Sequence, residues 1–199
     1  MTGPIVSFDR AVAGWLHTHE TGLATDVVST VTQLGGATVL LAITLVASLA
    51  LVLARRFAHA ALVGAALAGG EALNMALKAA FERPRPAFSD PIATASGFSF
   101  PSGHAMVSLT VYGALAFVIL ATTKSQRARV LVLATAAALV LAIGFSRLYL
   151  GVHYVSDVLA AYGAGVAWLM LCGLTLVGAS RLRTGPSRLE PAVEPTTVG

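Results

Sequence analysis

Charged side chains are scarce in this chain. Lys and Arg number 13 and Asp and Glu 9 among 199 residues, 11% of the total, where a soluble domain carries roughly 25%. Hydrophobic residues make up 56%, the mean hydropathy is +0.80, and one soluble core of 20.4 kDa cannot hide that much apolar surface from water. The deficit of charge excludes a soluble globular protein and points to a bilayer. The net charge of +4 and pI near 9.7 are spread along apolar sequence without forming a basic stripe, which excludes nucleic acid as a partner. Cysteine is scarcer still. Cys172 stands alone inside an apolar run, so neither a disulfide scaffold nor a Cys-based zinc cluster is available. There is no DxD or HExxH pattern and no dense acid cluster, and Glu82, Asp90 and Asp157 are scattered, so no metal or other cofactor is expected. The N-terminus lacks the basic region and short apolar stretch of a cleaved signal peptide, and its first residues are expected to stay in the mature protein.

What is present is a set of apolar runs. A span needs about 20 mostly apolar residues, and five stretches qualify or nearly do: 37–54, 57–77, 105–123, 130–145 and 158–180. The fourth is short unless it continues through Arg147, and the second contains Glu71. The expected fold class is therefore all-α, a polytopic membrane helical bundle with about five transmembrane spans. Before it, residues 1–34 form an amphipathic region in which Ile5, Phe8, Val12, Trp15 and Leu16 recur at helical spacing among Asp9, Arg10, His17 and Glu20. That pattern reads as an interfacial helix. A second stripe, Leu23, Val27, Val31 and Leu34, ends at the breaker Gly35-Gly36 and either dips into the membrane or lies along it. The membrane domain is expected over 35–180. Residues 181–199 read as a disordered cytoplasmic tail, with three prolines in the last sixteen residues and little to bury. Oligomeric state leaves no mark in the sequence.

Lys and Arg favour cytoplasmic loops. Arg55 and Arg56, then Lys124, Arg127 and Arg129, then Arg181, Arg183 and Arg188 place eight positive charges on one face, against Arg10, Lys78, Arg83, Arg85 and Arg147 on the other. The segments 78–104 and 146–157 are thereby predicted to lie outside the cytoplasm, in a multi-pass protein of the cell membrane.

Ionisable groups near membrane segments are costly and need partners or a function. Three clusters stand out: Lys78 to Pro86, Pro101 to His104, and Ser146 to Asp157. They fall in loops separated by two crossings, so they share a membrane face and can converge. Lys78 ends a span, while Pro84 and Pro86 stop the helix and hold Arg85 extended. Pro101 suits a first helical turn, which puts Ser102, Gly103 and His104 where backbone N–H groups lack intrahelical partners and where an anion is welcome. His153 and Asp157, at i and i+4, fit one helix face near the start of the last span, with the carboxylate accepting from one ring nitrogen and leaving the other as base or nucleophile.

Each residue alone has a plainer reading. Lys78 or Arg147 can be a snorkelling anchor, His104 an interfacial histidine, Ser102 a helix cap, and His153 with Asp157 a structural ion pair. Glu82 and Arg83 read as solvated loop charges, and Glu71 and Asn74 as a polar network supporting Lys78.

Taken together, the clusters resemble the signature of the type 2 phosphatidic acid phosphatase (PAP2) family, within the superfamily shared with vanadium haloperoxidases. The pattern is Lys, six residues, Arg-Pro; then Pro-Ser-Gly-His; then Ser-Arg, five residues, His, three residues, Asp. Lys78, Arg85, Pro86, Pro101, Ser102, Gly103, His104, Ser146, Arg147, His153 and Asp157 match it in order and spacing. Many family members have six spans, whereas here an amphipathic region stands in place of a clear first one.

The resemblance implies metal-free hydrolysis of a phosphate ester through a phosphohistidine. His153, oriented by Asp157, would be the nucleophile and His104 the acid for the leaving oxygen, with Lys78, Arg85, Ser102, Gly103 and Arg147 binding phosphate. A site at helix ends is reached laterally by an amphiphile, so the expected substrate and partner is a lipid phosphate: undecaprenyl diphosphate, phosphatidylglycerophosphate or phosphatidic acid. Two alternatives remain. A vanadate-dependent haloperoxidase would use the same ligands, although a span-rich chain suits a lipid ester better. A non-catalytic anion-binding or transport protein could use Lys78, Arg85 and Arg147 but would not need a His-Asp pair opposite a second histidine.

Overall fold

A computed structural model describes residues 3–183. Within them the chain forms seven α-helices: α1 (Pro4–Thr18), α2 (Gly22–Gln33), α3 (Ala37–Leu53), α4 (Phe57–Phe81), α5 (Gly103–Leu120), α6 (Gln126–Tyr149) and α7 (Val155–Arg183). The expected tail over 181–199 is corrected at its start, because 181–183 complete α7; residues 184–199 lie outside the described residues.

Helices α4, α5, α6 and α7 are each long and apolar enough to cross a membrane. The short run at 130–145 does extend through Arg147, since α6 runs on to Tyr149; it starts at Gln126 behind the cap of Ser125, whose hydroxyl accepts from the Ala128 N–H at 3.4 Å. With 17 residues, α3 spans only about 25 Å at 1.5 Å per residue, short of a hydrocarbon core of about 30 Å. It qualifies as a span only together with α2, across a 42° bend at the expected Gly35-Gly36 break. The second stripe of the N-terminal region thus joins α3 in a bent pair with the length and composition of a broken span or a re-entrant loop.

The bundle is built around α5, which packs against α3, α4, α6 and α7. Leu62, Val63 and Ala66 of α4 meet Ala114 and Val118 of α5 and Cys172 of α7, while Leu40 of α3 meets Val107 and Val111. Small residues permit this closeness. A Cβ on Gly69 would lie 1.9 Å from Cζ2 of Trp168, whose indole N–H donates to the Ala65 carbonyl at 3.0 Å. The exterior is apolar: Leu45, Val46 and Leu49 of α3, Leu131 and Leu141 of α6, and Met170 and Leu174 of α7 are exposed. Such a surface is stable facing lipid and costly facing water.

Alternating helix direction gathers the C-terminal ends of α4 and α6 and the N-terminal ends of α5 and α7 at one end of the bundle, together with the 82–102 loop. Arg55, Arg56, Lys124, Arg127 and Arg129 lie at the opposite end, where the Arg129 guanidinium donates to the Leu120 and Thr123 carbonyls at the end of α5. Helix α1 packs on α6 and α7 at the polar-cluster end, burying Asp9, Ala13 and Leu16 and exposing Ile5, Phe8 and Trp15.

Candidate active site

Helix α4 ends at Glu82, which takes left-handed dihedrals (φ 44°) and turns the chain sharply away from the helix axis. The following Arg83-Pro84-Arg85-Pro86 segment has no regular secondary structure, as its two prolines require. Arg85 is held by backbone oxygens on every side: Nε donates to Gly97 O at 3.1 Å, Nη2 to Ser96 O at 3.0 Å and Nη1 to Val152 O at 2.7 Å. Its Nη1 also lies 3.1 Å from Nε2 of His153. Lys78, on the last turn of α4, donates to the Phe98 and Pro101 carbonyls at 2.6 and 2.9 Å. Asn74, one turn below, reaches the same Pro101 carbonyl at 3.4 Å. The polar stripe on α4 thus braces the loop that carries Ser102, while Glu71 makes no hydrogen bond or ion pair among the described residues.

Ser102 occupies the N-cap position of α5, with Pro101 just before it rather than inside the first turn. Its hydroxyl does not cap the helix. The side chain is fully buried and its Oγ has no hydrogen-bond partner among the described residues. A Cβ at Gly103 would come within 3.1 Å of the Asn74 carboxamide oxygen, so glycine here eases the close approach of α4 and α5. His104 lies one residue on, beside the α2–α3 bend, where a Cβ on Gly35 would come within 3.4 Å of its ring. Arg147 on α6 donates from Nη1 to Thr32 Oγ1 of α2 at 2.8 Å, and its Nε is buried without a partner among the described residues. Ser102 Oγ and Arg147 Nε are thus buried polar groups that a many-oxygened anion would satisfy.

His153 and Asp157 are not both on the helix, as the i, i+4 spacing suggested. His153 sits in the 150–154 connection just before α7, and Asp157 in the first turn reaches back to accept from the Tyr154 N–H at 2.9 Å. This half of a capping box fixes the carboxylate at the helix start. Asp157 Oδ2 lies 3.5 Å from His153 Nδ1, longer than a well-formed hydrogen bond, and also accepts from the Ser99 hydroxyl. Burial pushes the His153 pKa down to about 4 from 6.5; Asp157 opposes the shift while Arg85 and Arg147 add to it, so the ring is neutral near pH 7.

Arg83 is not a solvated loop charge. Its guanidinium donates to Asp157 Oδ1 at 2.6 Å and to Asp9 Oδ2 at 2.9 Å, and lies 4.3 Å from the Tyr154 ring centroid. Nothing in the local pattern separates the two arginines, because their partners, Asp9 and Asp157 for Arg83 and the 96–97 and 152–153 segments for Arg85, are remote in sequence. Asp9, Thr32, Ser99 and Ser156 also escaped the sequence reading. All eight expected site residues lie at this end of the bundle. Among the described residues no three His, Cys, Asp or Glu side chains converge as metal donors, and His17 and His19 turn to different partners, Asp90 and the Trp15 carbonyl.

Apolar helices carrying cations, two histidines and a carboxylate at one end fit a membrane phosphatase, a hydrolase of phosphate esters. The chain belongs to the PAP2 superfamily, whose model matches residues 59–181. It is 32% identical over 147 residues, 73% of this chain and 72% of the relative, to phosphatidylglycerophosphatase B of Bacillus subtilis (strain 168). The crystal structure of a transmembrane PAP2-type phosphatidylglycerolphosphate phosphatase from Bacillus subtilis superposes with a TM-score of 0.80 at 27% identity, covering 95% of this chain and 90% of that one. Aquifex aeolicus LpxE shares the fold, with a TM-score of 0.66 at 20% identity over 86% of this chain and 95% of its own.

Proposed function

We propose that the protein hydrolyses a lipid phosphate through a phosphohistidine on His153. The observation that carries this reading is the contact of Arg85 Nη1 with His153 Nε2 at 3.1 Å. A guanidinium only donates, so Nε2 carries the lone pair and the ring proton sits on Nδ1, facing Asp157. The nucleophilic nitrogen therefore points toward cations that hold an anion.

In the proposed reaction, Lys78, Arg85 and Arg147, with the Ser102 hydroxyl and the Gly103 N–H, hold the non-bridging oxygens, and Arg85 Nη1 moves from Nε2 to one of them. The Nε2 lone pair forms a bond to phosphorus in line with the leaving oxygen. The P–O bond breaks, and the electron pair departs with a proton from His104. Asp157 offsets the positive charge that develops on the ring. Water then attacks phosphorus while His104 takes its proton, the P–Nε2 bond breaks with its electron pair returning to the ring, and inorganic phosphate leaves with His153 restored. Positioning and charge compensation supply most of what phosphoryl transfer requires, and this set of side chains supplies both.

The eight-to-five charge split supports a site on the non-cytoplasmic face of the cell membrane. The named activity of the Bacillus relatives makes phosphatidylglycerophosphate the first substrate to try, ahead of undecaprenyl diphosphate and phosphatidic acid. Phosphate release from these three lipids, assayed in detergent with EDTA, tests the reading. Release from one or more supports it, and binding without release from any overturns it.

A further inference from the structure

Helix α1 has the apolar outer face of an interfacial anchor, yet its inner face buries a carboxylate that is only 1% exposed, Asp9. A buried charge costs several kcal/mol unless it is well partnered, and here the partners come from the catalytic end of the chain. Asp9 Oδ1 accepts from the Ser156 N–H at 3.0 Å, and Oδ2 accepts from Arg83 Nη2 at 2.9 Å and from the Ser156 hydroxyl. The other terminal nitrogen of Arg83, Nη1, donates to Ser156 Oγ and to Asp157 Oδ1, both at 2.6 Å. One guanidinium thus joins two carboxylates, and the second is the fully buried Asp157 that faces His153.

This linkage fixes what the Tyr154 N–H and Ser99 hydroxyl leave free. Both of those bind Oδ2, and about that one oxygen the carboxylate can still rock toward or away from His153 Nδ1. Arg83 pins Oδ1, and Asp9 and Ser156 pin Arg83. We propose that Asp9 and Arg83 are positioning residues for the His153–Asp157 pair, so that α1, with Ile5, Phe8 and Trp15 facing outward, belongs to the phosphatase machinery rather than serving as an anchor alone. The inference rests on the site reading proposed above.

The experiment measures kcat, KM and the acid limb of kcat/KM on a lipid phosphate in mixed micelles. The variants are Asp9→Asn, Arg83→Gln, their double and His153→Ala, each normalised to monodisperse folded protein. Asp9→Asn and Arg83→Gln are each expected to lower kcat about 10- to 100-fold, the scale of a misplaced reacting group. KM should stay near wild type because Lys78, Arg85 and Arg147 are untouched. The double should fall no further than the worse single, as for residues acting as one unit. The acid limb should move to higher pH in Arg83→Gln, because Asp157 without its Arg83 partner draws a proton more strongly onto His153. The other groups acting on that ring, Arg85 in the loop, Arg147 on α6 and His104 on α5, are unchanged.

Folded Asp9→Asn with wild-type kcat overturns the proposal. If Arg83→Gln does not purify as a monodisperse protein, Asp9→Asn decides alone. Full activity in His153→Ala brings down the site reading and this inference together. An inactive His153→Ala beside a normal Asp9→Asn brings down the inference only.

Discussion

Arg85 Nη1 lies 3.1 Å from His153 Nε2 while donating to the Val152 carbonyl, so one nitrogen touches both the backbone before α7 and the ring that precedes it. A lysine could not keep that contact together with those to Gly97 and Ser96. Because the donor fixes the tautomer, the ring offers its lone pair on the side where phosphate would sit. Quenching the enzyme during turnover should therefore trap acid-labile phosphate on His153, and His153→Ala should lose both label and activity. Undiminished turnover in that variant would remove His153 from the nucleophile role.

The His153 environment sets an expectation for pH. Burial holds the ring pKa near 4 rather than 6.5, and protonation of Nε2 removes the nucleophile. In the free enzyme kcat/KM should rise with pH through about 4 and be flat on this limb by neutrality. The same sign applies to stability. A histidine whose folded pKa is depressed leaves the unfolded chain binding more protons between about 4 and 6.5, so stability falls as pH falls through that window. An acid limb centred at 6.5 would show that the ring is not the buried neutral group described here.

The motif residues were legible because their chemistry is written at short range: a lysine seven residues before Arg-Pro, a serine and glycine at a helix start, a histidine four residues before an aspartate. The supporting residues were not. Asp9 and Arg83 are 74 positions apart, and Thr32 and Arg147 are 115 apart. Nothing local distinguishes a buried Asp9 from the polar face of an interfacial helix. The spans were legible from hydropathy, yet α2 was left open because its twelve residues of mixed polarity reach the length and hydropathy of a membrane element only when joined to α3 across the bend.

Helix packing in the lower part of the site can be tested at glycine. A Cβ on Gly144 would fall 1.8 Å from the Tyr162 hydroxyl, which donates to the Val140 carbonyl at 2.9 Å. Gly144→Ala must displace the ring and break that bond, a cost of about 1–3 kcal/mol for overpacking. Gly163→Ala meets nothing within 4 Å and should be neutral. Thermal unfolding in detergent should show a lower Tm for the first variant only, and equal Tm values would mean α6 and α7 can separate without penalty.

Orientation in the membrane can be read chemically. Ser89 in the 82–102 loop and Ser125 before α6 are both exposed and lie at opposite ends of the bundle, while the native Cys172 is buried and contributes little background. A membrane-impermeant thiol reagent applied to intact cells should label Ser89→Cys and miss Ser125→Cys. The reverse pattern would put the site in the cytoplasm.

The two histidines should fail differently, because a nucleophile and a leaving-group acid are needed to different degrees. An alkoxide leaving from a lipid phosphate needs a proton, whereas a stabilised phenolate hardly does. His104, at the start of α5 with its ring against the α2–α3 bend, carries the acid role in the proposed reaction. His104→Ala is therefore expected to lose far more activity on an alkyl lipid phosphate than on p-nitrophenyl phosphate, while His153→Ala loses both alike. The comparison holds when transfer to the enzyme limits the rate, and a pre-steady-state burst would reveal that dephosphorylation limits it instead. With transfer limiting, equal losses for His104→Ala on the two leaving groups would reduce His104 to a phosphate-positioning residue and leave the leaving oxygen to be protonated from elsewhere.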